Sequence, residues 1–255
     1  MLLPAVLGIA VLGLWEALVA IYQVPRFVLP APSAIWQALI ADFPSLVTSL
    51  WTTLRITLMA FALALVSGIA LAIAFSQSRI VEMALYPYAV ILQVTPIVAI
   101  APLIIIWVGF ERINLALLIL ACIVAFFPIL SSTTMGLRSV DHNLVDLFRL
   151  YGATPWQILT RLRLPAAMPN LLNGMKTSGG LALIGTVVAE YGAGSGTATG
   201  LAWRIVEAGN RLQIARMFAA LFLLALLGVA IFFALAFLEY WLLRKWHESA
   251  LTRDI

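Results

Sequence analysis

With 64% of its 255 residues hydrophobic, only 10% charged and a net charge of +4, the chain lies far from the roughly one-quarter charged content of soluble domains. That composition excludes an ordinary soluble domain, and the positive charge does not make a nucleic-acid surface, because only two of the fifteen basic residues are lysines and no basic cluster is dense. Cys122 is the only cysteine, so the chain forms no internal disulfide and has no cysteine-rich metal site.

Apolar runs longer than about 18 residues without charge mark transmembrane helices, and several are present. Their length and lack of alternation rule out a β-barrel. Met1 opens directly into apolar sequence with no basic leader, so the first span, about 3–22, is expected to be retained. Glu16 is its one interruption. An acid costs about 3 kcal/mol at a helix centre, so it should face protein or lie at the interface. Residues 24–44 hold Pro25, Pro30, Pro32 and Pro44 and read as an external connector with a short helix after Ser33.

A second span covers about 49–78, with Arg55 toward its outer end. The third, about 83–110, is uncharged but carries Pro87, Pro96 and Pro102, each of which removes a backbone donor, so it is expected to be bent or broken. Gln93 and Thr95 beside Pro96 are candidates either to satisfy freed backbone groups or to line a path. The fourth span, about 113–137, ends in Ser131, Ser132, Thr133 and Thr134, expected to return hydrogen bonds to their own helix.

Residues 143–165 then present a patterned polar surface. Leu144, Leu147, Phe148 and Tyr151 fall at i, i+3, i+4 and i+7 on one short helix, with Asp146 and Arg149 off that stripe. Asn143 is the candidate N-cap, which puts Asp146 at N3, and Gly152 closes the helix in the left-handed conformation. Thr154, Pro155 and Gln157 supply a cap, a first helical residue and a capping box for a second helix. Arg161 and Arg163 complement its C-terminal dipole, and Pro165 begins the next segment.

The fifth span, about 167–190, is rich in small residues (Gly174, Ser178, Gly179, Gly180, Gly185 and Thr186), which suits close helix approach, against a second copy among other partners. Lys176 and Glu190 flank its core with about 20 Å of helix between them, less than the hydrocarbon thickness, so at least one should be shielded or snorkel. Residues 191–200 alternate glycine with other residues but lack the ending of a phosphate loop, and read as a re-entrant or external loop before a surface helix bearing Arg204, Glu207, Arg211 and Arg216. A last span, about 217–243, is followed by Arg244, Lys245 and His247. Six spans put both termini on one side. If that side is cytoplasmic, nine of the fifteen basic residues, Lys245 and Arg253 included, lie inside or at the inner boundary, and residues 143–165 face the cytoplasm.

Asp146, Gly152, Leu162, Leu164 and Pro165 follow a known spacing: an acidic residue, glycine six later, then aliphatic-x-Leu-Pro. This resembles the cytoplasmic EAA loop of binding-protein-dependent ABC importer permeases, with Asp146, Leu147 and Phe148 standing for its opening Glu-Ala-Ala and Ala153 following the glycine. Phe126-Phe127-Pro128-Ile129-Leu130, Thr134-x-Gly136-Leu137 and Val188-Ala189-Glu190 resemble the branch that includes nitrate, taurine and alkanesulfonate permeases, and the similarity runs from Leu14-Trp15-Glu16 onward.

The resemblance implies an all-α integral membrane protein of type I ABC importer fold, with six transmembrane helices and a cytoplasmic helix-Gly-helix coupling loop. It implies a bacterial inner-membrane permease that works as a homodimer with two ATP-binding subunits and a periplasmic or lipid-anchored solute-binding protein. ATP and Mg would bind the partner ATPase, and this chain would bind no cofactor. The solute would be nitrate-, sulfonate- or taurine-like, or a thiamine-precursor pyrimidine. Gln93, Thr95, Pro96, Lys176, Thr186 and Glu190 are the pathway or gate candidates. The rival reading is a secondary transporter without an ATPase, which intramembrane acids and inverted repeats would favour; no such repeat is evident. A membrane enzyme is disfavoured, since His142 and His247 stand apart from any metal-ligand spacing and no serine sits in a nucleophile elbow.

Overall fold

The computed structural model describes residues 2–193 and 200–244, and every regular element among them is helical. Most of the loop expected at 191–200, together with Lys245, His247 and Arg253, lies outside the described residues. The elements are α1 (Leu2–Ile21), α2 (Pro32–Ala41), α3 (Phe43–Gln77), α4 (Arg79–Val94), α5 (Ile97–Val108), a 3-10 turn (Phe110–Arg112), α6 (Ile113–Arg138), α7 (His142–Leu150), α8 (Pro155–Ile158), a π-helical turn (Leu159–Arg163), α9 (Leu164–Ala193), α10 (Leu201–Asn210) and α11 (Ile214–Leu243).

Length and composition suffice for a membrane crossing in α3, in Phe110–Arg138 and in α11, and in α4 and α5 taken together. The apolar run of α1, Val6–Ile21, is shorter. The 30-residue α9 is not in that group, because its glycines, hydroxyls, Lys176 and Glu190 dilute its hydropathy. Each expected span therefore meets a helix, while α3 begins earlier than expected, at Phe43, with Pro44 tolerated in its first turn.

The third span breaks at one of its three prolines. Thr95 takes an extended conformation (ψ 124°), as a residue before proline prefers, and α4 and α5 meet there at 104°. Pro87 and Pro102 stay inside their helices.

Two compact units emerge, Met1–Arg55 with Glu190–Leu227, and Ile56–Ala189 with Gly228–Ile255. In the first, Leu39, Leu46, Leu201, Ala219, Ala220 and Leu223 form the core. Trp15 meets Phe218 with ring centroids 5.9 Å apart. The Glu16 carboxylate accepts from the Ser33 amide (3.0 Å) and hydroxyl (2.7 Å), and so caps the first turn of α2, whose N-cap Ala31 has no side-chain acceptor.

In the second unit, Ala72, Phe75, Leu130, Leu137, Leu159 and Ala167 pack into one cluster and Ala64, Ala125, Ile129 and Ala182 into another, so α3, α6 and α9 pack on one another. The small residues of α9 serve this packing. A Cβ at Gly185 would come 2.9 Å from the Ala121 Cα, and one at Gly174 would come 2.8 Å from the Ser132 Cβ. The close approach expected of them is thus made inside the chain, while Gly180 faces open space. Thr133 and Thr134 depart from expectation: both hydroxyls are buried with no partner in place of a bond to their own helix.

Candidate coupling site

Local chemistry builds α7 and α8. Asp141, not Asn143, caps α7, its carboxylate accepting from the Asn143 amide at 2.9 Å, so Asp146 lies two residues deeper than N3. The correction has a simple cause: both residues are good caps, and His142 is already helical. At the other end Gly152 has φ +74°, with its amide bonded to the Arg149 carbonyl (2.9 Å) and the Ala153 amide to the Phe148 carbonyl (3.0 Å). These two bonds form a Schellman motif and satisfy the last free carbonyls of α7. Thr154 and Gln157 then make a complete capping box, the Thr154 amide donating to Gln157 Oε1 (2.8 Å) and the Gln157 amide to Thr154 Oγ1 (3.3 Å).

The second helix does not end where the two arginines were expected to complement its dipole. α8 runs through the π turn directly into α9, with the Leu164 amide bonded to the Leu159 carbonyl. Pro165 lacks the N–H that an α-helical register would aim at Arg161, and a π turn just before it absorbs the mismatch. Pro165 therefore lies within a continuous rod and starts no separate segment.

Val145, Ile158 and Leu159 anchor the hairpin, and Leu159 reaches the core beside Phe75 and Leu137. The stripe of Leu144, Leu147, Phe148 and Tyr151 points the other way. Leu150 and Tyr151 are each 85% exposed and Trp156 is 68% exposed, far more than ordinary packing leaves open. Beside them a groove of about 380 Å³ is lined by Leu147, Phe148, Tyr151, Gly152, Ala153 and Gln157. Asp146 pairs with Arg149 at 3.3 Å on the exposed surface. Leu162 is half-buried, and Leu164 packs against the core. The coupling candidates thus divide between an exposed tip and a buried root.

The pathway candidates differ in what they touch. Gln93 is exposed near the α4–α5 elbow, and Thr95 Oγ1 donates at 2.6 Å to the Ile91 carbonyl, which also accepts from the Thr95 amide at 3.0 Å and is therefore not the group that Pro96 frees. Lys176 pairs with Glu239 of α11 at 2.6 Å, which meets the need for shielding. Thr186 is fully buried, accepts from Thr57 Oγ1 at 3.1 Å and donates to the Ala182 carbonyl. Glu190 is fully buried too. Its two oxygens accept from Thr53 Oγ1 (2.8 Å) and the Ala202 amide (3.0 Å), while Thr53 Oγ1 accepts from the Leu201 amide (2.9 Å). Glu190 and Thr53 together hold the free amides that open α10. A Cβ at Gly200 would overlap the Glu190 carboxylate and would have to push it off its hydrogen bonds to Thr53 and Ala202.

Sequence reading did not single out Thr53, Gly200 or Glu239. A signal existed for the first: Ser49, Thr53 and Thr57 recur every fourth residue of α3 and are all buried.

Comparison with known proteins bears on the chain as a whole. Residues 64–247 match the family described as binding-protein-dependent transport system inner membrane component. The chain is 32% identical to the putative aliphatic sulfonates transport permease protein SsuC of Bacillus subtilis, covering 98% of this chain and 87% of the relative. It is also 32% identical to the formylaminopyrimidine transport permease protein ThiX of Halalkalibacterium halodurans, over 96% of each. The fold is similar to that of the MetNI methionine ABC transporter in an inward-facing conformation, with a TM-score of 0.67 at 21% identity over 78% of this chain and 96% of that one. By the family match across most of its length, the chain belongs to the inner membrane components of binding-protein-dependent transport systems, the permease subunits of ABC importers.

Proposed function

We infer that this chain is the membrane half of a homodimeric importer with two cytoplasmic ATP-binding subunits, to which a periplasmic or lipid-anchored binding protein delivers solute. Family membership carries the general partnership with an ATPase and a solute-binding protein; the stoichiometry is this reading's own. The observation that carries it is the α7–α8 hairpin: capped at both ends, anchored by Val145, Ile158 and Leu159, and presenting Leu150, Tyr151 and Trp156 unpartnered. A surface of that kind suits docking into a groove of the ATPase, with Asp146, Leu147, Phe148, Gly152 and Ala153 at the contact. ATP and Mg act at that partner.

Because α8 passes through a π turn into α9 without a break, displacement of the tip moves α9 as one lever. ATP-driven closure of the partners then biases the bundle toward an outward-facing state, and the docked binding protein must favour the same state, since equal affinity for both would shift nothing. The six spans include α1 and α9, both termini lie in the cytoplasm, and Asn173, Thr177 and Gly180 form an exposed stripe on α9 that suits the pathway or the second copy. Gln93, Thr95 and Pro96 at the α4–α5 elbow, and Lys176, Thr186 and Glu190 through the partners described above, tune its movement. The solute is a small nitrate-, sulfonate- or taurine-like molecule or a thiamine-precursor pyrimidine, following the resemblance and, for sulfonates and pyrimidines, the relatives.

The test is to purify the tagged chain with its neighbouring gene products in mild detergent and follow solute-stimulated ATP hydrolysis, with Gly152→Pro alongside. Proline cannot adopt φ +74°, so hydrolysis is expected to lose its stimulation or the ATPase to dissociate. Full transport in cells with no associated ATPase would overturn the reading in favour of a secondary carrier.

A further inference from the structure

The inner ends of α4 and α6 hold a feature that coupling does not use. Two grooves, of about 560 and 540 Å³, flank the ion pair between Arg138, the last residue of α6, and Glu82 in the first turn of α4. Tyr86 borders both. On one side Arg79 stands at the rim, exposed and without an ion pair among the described residues, above an apolar wall of Phe75, Met83 and Pro87. On the other lies Thr134, buried and with an unpartnered hydroxyl.

The charges do not cancel. Arg79 and Arg138 face one carboxylate, and the Arg138 side chain remains 52% exposed despite its partner. From this cationic end the outer face of α4 continues as exposed Ile80, Met83, Tyr88 and Ile91. From Arg79 to Pro87 the helix rises about 12 Å, close to the depth of one leaflet's hydrocarbon. An occupant must therefore be anionic at one end and apolar along the rest.

We propose that this groove binds one anionic phospholipid of the inner leaflet, its phosphodiester bridging Arg79 and Arg138 and its acyl chains lying along Met83, Tyr86 and Pro87. Glu82 holds the Arg138 guanidinium in place. Basic recesses between helices on the cytoplasmic side recognise anionic headgroups on this principle. The proposal rests on the inner placement of these helix ends in the importer reading, but its test does not depend on ATPase activity.

The purified chain in detergent is mixed with equal amounts of phosphatidylglycerol and phosphatidylcholine, and retained lipid is read by native mass spectrometry. Phosphatidylglycerol should be retained preferentially, and Arg79→Gln, which breaks no ion pair, should lower that preference about fivefold. Arg26→Gln, away from the groove, should leave it unchanged. No preference in the unaltered chain, or an equal preference in Arg79→Gln, would overturn the proposal. So would displacement of the lipid by millimolar inorganic phosphate alone, or a loss of preference that only accompanies loss of a dimer, which would make the occupant a free anion or a second copy. Absence of an ATPase in the same preparation would count against the importer reading while leaving the lipid result standing.

Discussion

The α7–α8 hairpin and the Glu190 cluster solve the same problem, free polar groups at helix ends, in opposite ways. In the hairpin every partner is within five residues: Asp141 with Asn143, Ala153 with Phe148, Thr154 with Gln157. Around Glu190 the partners come from far along the chain, with Thr53 137 residues away. The hairpin is wet at its tip and tolerates change one group at a time. The cluster is dry, so each of its groups depends on the others. Local capping suits a part that must keep its shape while it docks, whereas long-range capping suits a part that must tie distant segments together.

Mutations at these two places break or sharpen the contrast, beginning with the largest effect. Gly200→Ala places a methyl group on the Glu190 carboxylate and should destabilise the chain by about 3 kcal/mol or more, seen as a much lower unfolding temperature in detergent. A shift near zero would mean that the carboxylate does not sit against α10. Gly152→Ala must hold a side chain in the left-handed region and should cost about 1–2 kcal/mol, while stimulated ATP hydrolysis falls more than stability does. Thr154→Ala removes one half of the capping box and should cost about 1 kcal/mol, measurable as faster hydrogen exchange at the Gln157 amide. Asp146→Asn loses only an exposed pair and should change stability by less than about 0.5 kcal/mol. If it nevertheless reduces ATPase association, the carboxylate serves the partner and not its own helix.

The two regions were also unequally legible. Gly152, Thr154, Pro155 and Gln157 could be assigned their roles from spacing, because a cap and its amide lie within one turn. The same rule pointed to Asn143 where Asp141 is the cap, since residues of equal capping ability two apart differ only in where the preceding backbone turns. Pro165 misled for another reason: proline usually marks a boundary, yet a π turn before it let the helix continue. Glu190 stood out as an acid in a span, but nothing nearby named Thr53 or Gly200 as its neighbours.

What the sequence determined by itself was the class and the local devices. Long uncharged runs demand a bilayer, prolines that push the residue before them out of the helical region demand a break somewhere in the third span, and capping residues at fixed offsets demand a hairpin. Tertiary structure decided which proline breaks, which face of α7 is anchored, and which partners Glu16, Lys176 and Glu190 find. The reason is range: propensity and capping act within a turn or two, whereas a buried charge is satisfied by whichever donor the packing of distant helices brings to it.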